Sequence, residues 1–173
     1  MQMTRTYFLV WVLAVLALGI YAVDNVVAGS EAPPNAAFER LKGLAGTWES
    51  KTPEGKLATE TVQLMSADSA IMVTADAGDR ENMVTMFTPD GDGVIATHYC
   101  STKSQPRYVL VPSKDTNALA FQLKDATNLA SPETGHMHGL VIRIKDAGHH
   151  TEEWTWRENG KETVHSMEFT RKQ

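Results

Sequence analysis

The 173-residue chain has a single cysteine, Cys100, so no intramolecular disulfide can form and the fold must hold by burial alone. It has no basic excess either. Sixteen Lys and Arg stand against 21 Asp and Glu, a net charge of −5, which argues against a nucleic-acid partner. No cysteine lies near the N-terminus, so lipid attachment through a thioether is excluded there. The longest apolar run, residues 8–23, falls short of the ~20 residues that a spanning helix needs.

What that run matches is an export signal. Arg5 sits in a short polar start, the apolar stretch follows, and Val26-Val27-Ala28 before Gly29 supplies the small residues of a cleavage site. Cleavage is expected after Ala28, with Ala22 as a second site; the alternative is an uncleaved membrane anchor. Residues 1–28 therefore read as a signal peptide, and the protein as periplasmic or secreted, with a membrane as partner only if the segment stays attached. Loss of Arg5 with Asp24 leaves the net charge unchanged. Residues 29–35 carry Pro33-Pro34 and read as a linker. Residues 36–173 have the length of one domain.

Asn35 is placed to cap a short helix running to about Ala45, with Phe38, Leu41 and Leu44 on one stripe and Gly46 ending it. Beyond Gly46 helical periodicity gives way to ten short β-rich runs. They begin at Trp48 and continue at 56–65, 70–76, 82–88, 94–100, 107–111, 118–124, 136–145, 149–158 and 161–171. Between them lie turn clusters, of which Asn159-Gly160 is the strongest hairpin signal. Such short connections force sequential antiparallel neighbours, and closure removes exposed edges. The expected fold is all-β: a ten-stranded antiparallel meander barrel with a short N-terminal helix capping one end.

Alternation picks out an inner face near the C-terminus. His138, Leu140, Ile142 and Ile144 form one side of their run, Trp154 and Trp156 one side of the next, and His165, Met167 and Phe169 one side of the last. A turn at 146–148 sets Leu140 opposite Trp154 and His138 opposite Trp156. Pairing across Asn159-Gly160 sets Trp154 opposite His165 and Trp156 opposite Thr163.

Gly46-Thr47-Trp48 after the helix stripe, together with Arg171 at the end of the last run, resembles the calycin superfamily of lipocalins and fatty-acid-binding proteins. There a tryptophan of a G-x-W motif closes one barrel end beneath an arginine of a late strand, and cation–π stacking is the physical reason. The stretch from Met83 to Cys100 with Thr97-His98-Tyr99-Cys100, followed by Gln105-Pro106-Arg107, resembles an uncharacterised family of exported bacterial single-domain proteins. A further likeness, to nitrobindin-type haem barrels, rests on His165 and Arg171 six residues apart. It implies haem held by His165. Those proteins continue the tryptophan motif with glycines, whereas Glu49-Ser50-Lys51 follows Trp48 here.

Six histidines invite a metal site, but register keeps His136 and His138 about a strand-length from His149 and His150. No metal site is expected; the His149-His150 pair reads as an exposed turn and His136 as a strand-end residue. His98 and Cys100 share a face whose direction alternation leaves open. Cys100 reads as a small buried residue rather than a nucleophile. Arg107 is either a surface charge or a clamp for a ligand carboxylate, with the surface favoured.

These readings converge on an exported barrel binding an amphipathic or apolar small molecule, with His138, Trp154, Trp156, His165, Arg107 and His98 as candidate ligand contacts. Gly46, Trp48 and Arg171 are the candidate barrel closure. Three alternatives accompany it: the haem barrel, a cofactor-free isomerase, cyclase or decarboxylase using an inner histidine beside Arg107, and a plain structural or interaction module with a filled barrel.

Overall fold

A computed structural model describes residues 35–51, 55–76 and 83–173. The signal segment and its cleavage sites lie outside the described residues, as does all of the linker but Asn35. The strands are β1 (Gly46–Lys51), β2 (Leu57–Met65), β3 (Ala70–Asp76), β4 (Met83–Asp90), β5 (Gly93–Tyr99), β6 (Gln105–Val111), β7 (Ala118–Thr127), β8 (His136–Asp146), β9 (His149–Glu158) and β10 (Lys161–Arg171). Each pairs antiparallel with the next, and β10 returns to β1, closing a ten-stranded meander barrel. Among the described residues no helix is long and apolar enough to cross a membrane.

The closing seam is short. Only Trp48↔Arg171 and Glu49↔Thr170 pair across β1 and β10, and the stretch of β10 from Lys161 to Ser166 is exposed. The hairpin at Asn159-Gly160 follows from its sequence, because both residues adopt positive φ, 50° and 73°, as a two-residue type I′ turn requires.

One helix, α1 (Ala36–Lys42), precedes the barrel. The Asn35 side chain accepts the Phe38 N–H at 2.9 Å, capping it, and the Asn35 Nδ2 donates to the carbonyls of Gly91 and Gly93 in the β4–β5 turn. The helix stops at Lys42 rather than near Ala45, since Leu44 and Ala45 bond back to the carbonyls of Leu41 and Lys42 in a tighter turn. Phe38, Leu41 and Leu44 are all buried, and they join the core formed by Val62, Ile71, Phe87 and Ile142. The helix thus closes the barrel end where β1 begins and β10 finishes.

Inside, strand alternation is regular: Ala58, Glu60 and Val62 on β2, Val94, Ala96 and His98 on β5, and His150, Glu152 and Trp154 on β9 are buried. All three triplets carry ionisable groups into the lumen. They set the chemistry of the site.

Candidate functional site

At the end away from α1 the barrel encloses a cavity of about 130 Å³. Its walls are largely apolar, with Val73, Phe87, Met83, Met137, Met167 and Trp154 among them, and its polar lining comes chiefly from Glu60, Thr85, His98, Glu152 and His165. The strands dictate this. Antiparallel partners share a face, so the pairs Thr85↔His98, Trp154↔His165 and Glu152↔Met167 all turn inward together.

His98 is 3% exposed. Its Nδ1 hydrogen-bonds the Thr85 hydroxyl at 2.9 Å, its ring lies 4.8 Å from the Trp154 ring, and its Nε2 has no partner among the described residues. Burial lowers its pKa to about 4, so the ring is neutral at ordinary pH. Which of its nitrogens carries the proton depends on the Thr85 hydroxyl, which can donate or accept.

Glu60 and Glu152 are buried close together, and neither has an ion pair with Lys or Arg among the described residues. Burial pushes both carboxyls above the ordinary range. For Glu60 the neighbouring Glu152 charge adds to the effect, and for Glu152 the Trp154 indole N–H, donating at 2.7 Å, works against it. His150 completes the cluster. Its side chain is fully buried, with Nε2 3.9 Å from the Glu60 carboxylate and neither ring nitrogen hydrogen-bonded among the described residues. Burial, and secondarily the Arg171 charge, lowers its pKa to about 4.

The expectation that His149-His150 forms an exposed turn is corrected for one of the pair. His149 is exposed and bonds Asp146 at 2.9 Å, but β9 starts at His149, so the next residue already points into the barrel. His138 is corrected too. A β-bulge between Met137 and Gly139 makes Met137, not His138, the partner of Trp156. His138 instead meets His136 at 3.1 Å and Arg157 at 3.3 Å, away from the cavity lining. His136, expected as a plain strand-end residue, is 2% exposed and bonds the Thr134 carbonyl at 2.7 Å.

Of the remaining candidates, Trp154, His98 and His165 line the cavity, His165 at its exposed rim. Trp156 shares their face by register, yet its indole packs where a side chain on Gly135 would stand, outside the lining. Arg107 lies on the outer surface, holding Asp125 through two bonds of 2.6 Å. It therefore cannot serve as the charged partner of an inner histidine. Cys100 is buried.

Gly46, Trp48 and Arg171 meet at the helix end. Trp48 is fully buried and donates to the Leu44 carbonyl at 2.7 Å, while Arg171 covers its ring and donates to the carbonyls of Gly43, Ala45 and Ala147.

A porphyrin does not fit the lumen. About 130 Å³ is well under the ~300 Å³ at which pockets for larger ligands begin, and Trp154, Met167 and Phe169 occupy the wall beside His165. The space is nearer that of a cavity that takes a benzene-sized molecule, roughly 150 Å³.

No family model matches the chain, and no curated protein matches it.

Proposed function

We propose that the protein is an exported carrier of a small amphipathic molecule, held inside the barrel with its apolar body among Phe87, Trp154, Met83 and Met167 and its polar head toward His98 and Glu152. One observation carries this reading: the cavity is apolar over most of its wall, yet the His98 Nε2 has no partner among the described residues. A buried polar atom left single costs about 1–3 kcal/mol, and a ligand head that bonds it recovers that energy on binding. The volume limits the body to about the size of one aromatic ring. Apolar bulk with few placed polar groups is the ordinary build of a small-molecule site.

The test is titration of the purified protein with ring-sized aromatic alcohols and amines, fatty acids and haem, followed by tryptophan fluorescence. Saturable quenching by ring-sized probes is expected. His98→Ala should weaken it about tenfold, the worth of one hydrogen bond. Haem and long fatty acids should give no saturable signal. Absence of saturable binding by every ring-sized probe would remove the reading.

A cofactor-free enzyme is the second reading, because a neutral His98 and the raised carboxyls of Glu60 and Glu152 line one largely apolar space. Chemical conversion of a bound probe, lost in Glu152→Gln with binding retained, would favour it over simple carriage.

A further inference from the structure

We propose that Glu60, His150 and Glu152 form a binding site for one divalent transition-metal ion of the zinc class, set at the inner end of the cavity. One ligand atom from each of the three residues can be chosen so that all lie within 4.8 Å of one another, and all three residues are buried. The inference does not rest on carriage of an organic molecule, since the ion needs only these side chains.

Geometry is the first support. The His150 Nε2 to Glu60 Oε1 separation is 3.9 Å, too long for a hydrogen bond. It exceeds by about half an ångström the roughly 3.4 Å that separates two donors on a tetrahedral zinc ion with bonds of roughly 2.0–2.2 Å, a gap that a small turn of the Glu60 side chain closes. The widest separation in the cluster closes by rotation about the flexible glutamate side chains. His150 itself cannot swing freely, since its ring is stacked on Phe169 at 4.8 Å and met edge-on by Trp48 at 4.4 Å. Packing therefore aims an imidazole that has no hydrogen-bond partner among the described residues at two carboxyl groups.

Charge is the second support. Two glutamates without a Lys or Arg partner among the described residues are costly in a barrel interior, and a dication neutralises both at once. A set of one imidazole and two carboxylates without thiolate suits zinc and its first-row neighbours, whereas magnesium and calcium prefer all-oxygen surroundings. The Trp154 N–H on the Glu152 Oε2 at 2.7 Å is the kind of outer bond that fixes a ligating carboxylate. Because Glu60 and Glu152 also line the cavity, a fourth coordination position would open into it, as in zinc sites that keep a place for water or substrate.

The experiment is equilibrium dialysis of the chelator-treated protein against Zn²⁺, with Co²⁺ as a spectroscopic stand-in. One equivalent per chain is expected, with a rise in melting temperature. Bound Co²⁺ should quench tryptophan fluorescence, because Trp48 touches His150 and Trp154 bonds Glu152. His150→Gln and Glu152→Gln should each lower affinity at least tenfold, while His149→Ala, one residue away on the exposed side, should leave it unchanged. A folded wild-type protein that takes up no stoichiometric Zn²⁺ or Co²⁺ would overturn the proposal, as would His150→Gln binding like the parent. If His150→Gln does not fold, the wild-type Co²⁺ titration decides: one equivalent with tryptophan quenching supports the site, and binding without quenching places the ion elsewhere.

Discussion

The Arg171 guanidinium carbon stands 4.1 Å from the centre of the Trp48 ring, and these two residues are also backbone partners across the seam that closes the barrel. The arginine does more than stack. Its three carbonyl bonds tie β10 to the turn after α1 and to the β8–β9 turn, so one side chain fastens three segments. Trp48→Ala should cost about 3–5 kcal/mol, the range for a buried large side chain cut to a methyl. Arg171→Ala should cost less, about 2 kcal/mol, because several of the freed carbonyls can turn to water. Urea unfolding of the two variants checks the order. A Trp48→Ala protein melting within a couple of degrees of the parent would show that the seam does not depend on this pair.

Gly46 is bound to the same arrangement by its backbone. Its φ of +133° lies where side chains are strained, and a Cβ there would stand 2.7 Å from the Arg171 Nη1. Gly46→Ala should therefore destabilise by on the order of 1–3 kcal/mol, part of it backbone strain and part the collision. The two parts separate in a double-mutant cycle, since Arg171→Ala removes the obstacle but leaves the dihedral. Additive effects would mean that the arginine simply moves aside.

Much of the barrel is legible in the sequence because turn residues and two-residue alternation leave few other solutions. The pairings Leu140↔Trp154, Trp154↔His165 and Trp156↔Thr163 follow from counting across two short turns, and the structure has all three. Counting fails one residue past Gly139, where the bulge lets Met137 take the inner position and sends His138 to Arg157. A bulge on a run such as His136-Met137-His138-Gly139 leaves no mark that periodicity detects.

The acidic cluster is a different kind of miss. The alternation that sends Trp154 and Trp156 inward also sends His150 and Glu152 inward when it is carried back, but their place beside a turn suggests exposure. Glu60 stands between Ala58 and Val62 on one face, a carboxylate where the neighbours are apolar. His98 is hidden for another reason: both faces of β5 are equally apolar in sequence, and only closure of the barrel distinguishes them.

Export is tested by mass. If residues 1–28 are a cleaved signal, intact-mass measurement of protein from a periplasmic fraction should show a chain starting near Gly29. Full-length chain found only in the membrane pellet would replace export with anchoring.

The pH dependence of stability isolates His98. Its pKa is about 4 in the folded protein and ~6.5 when unfolded, so between those values the unfolded chain binds more protons. The stability it contributes is therefore full above ~6.5 and is lost as pH falls toward 4, on the order of 3 kcal/mol over the whole window. His150 acts in the same direction, while the raised carboxyls of Glu60 and Glu152, which share the lumen, act in the opposite one, favouring the fold at lower pH. A total stability curve mixes these four with further shifted groups such as His138, whose pKa burial also lowers. Comparison with His98→Asn removes the mixture, because that variant keeps a polar side chain facing Thr85 but does not titrate, and the other groups are common to both proteins. Urea unfolding at metal-free steps across the window should show the parent losing stability relative to His98→Asn as the pH is lowered. Parallel curves would mean that His98 is solvated in solution, and the polar end of the cavity would then lose the unpartnered nitrogen on which the carrier reading depends.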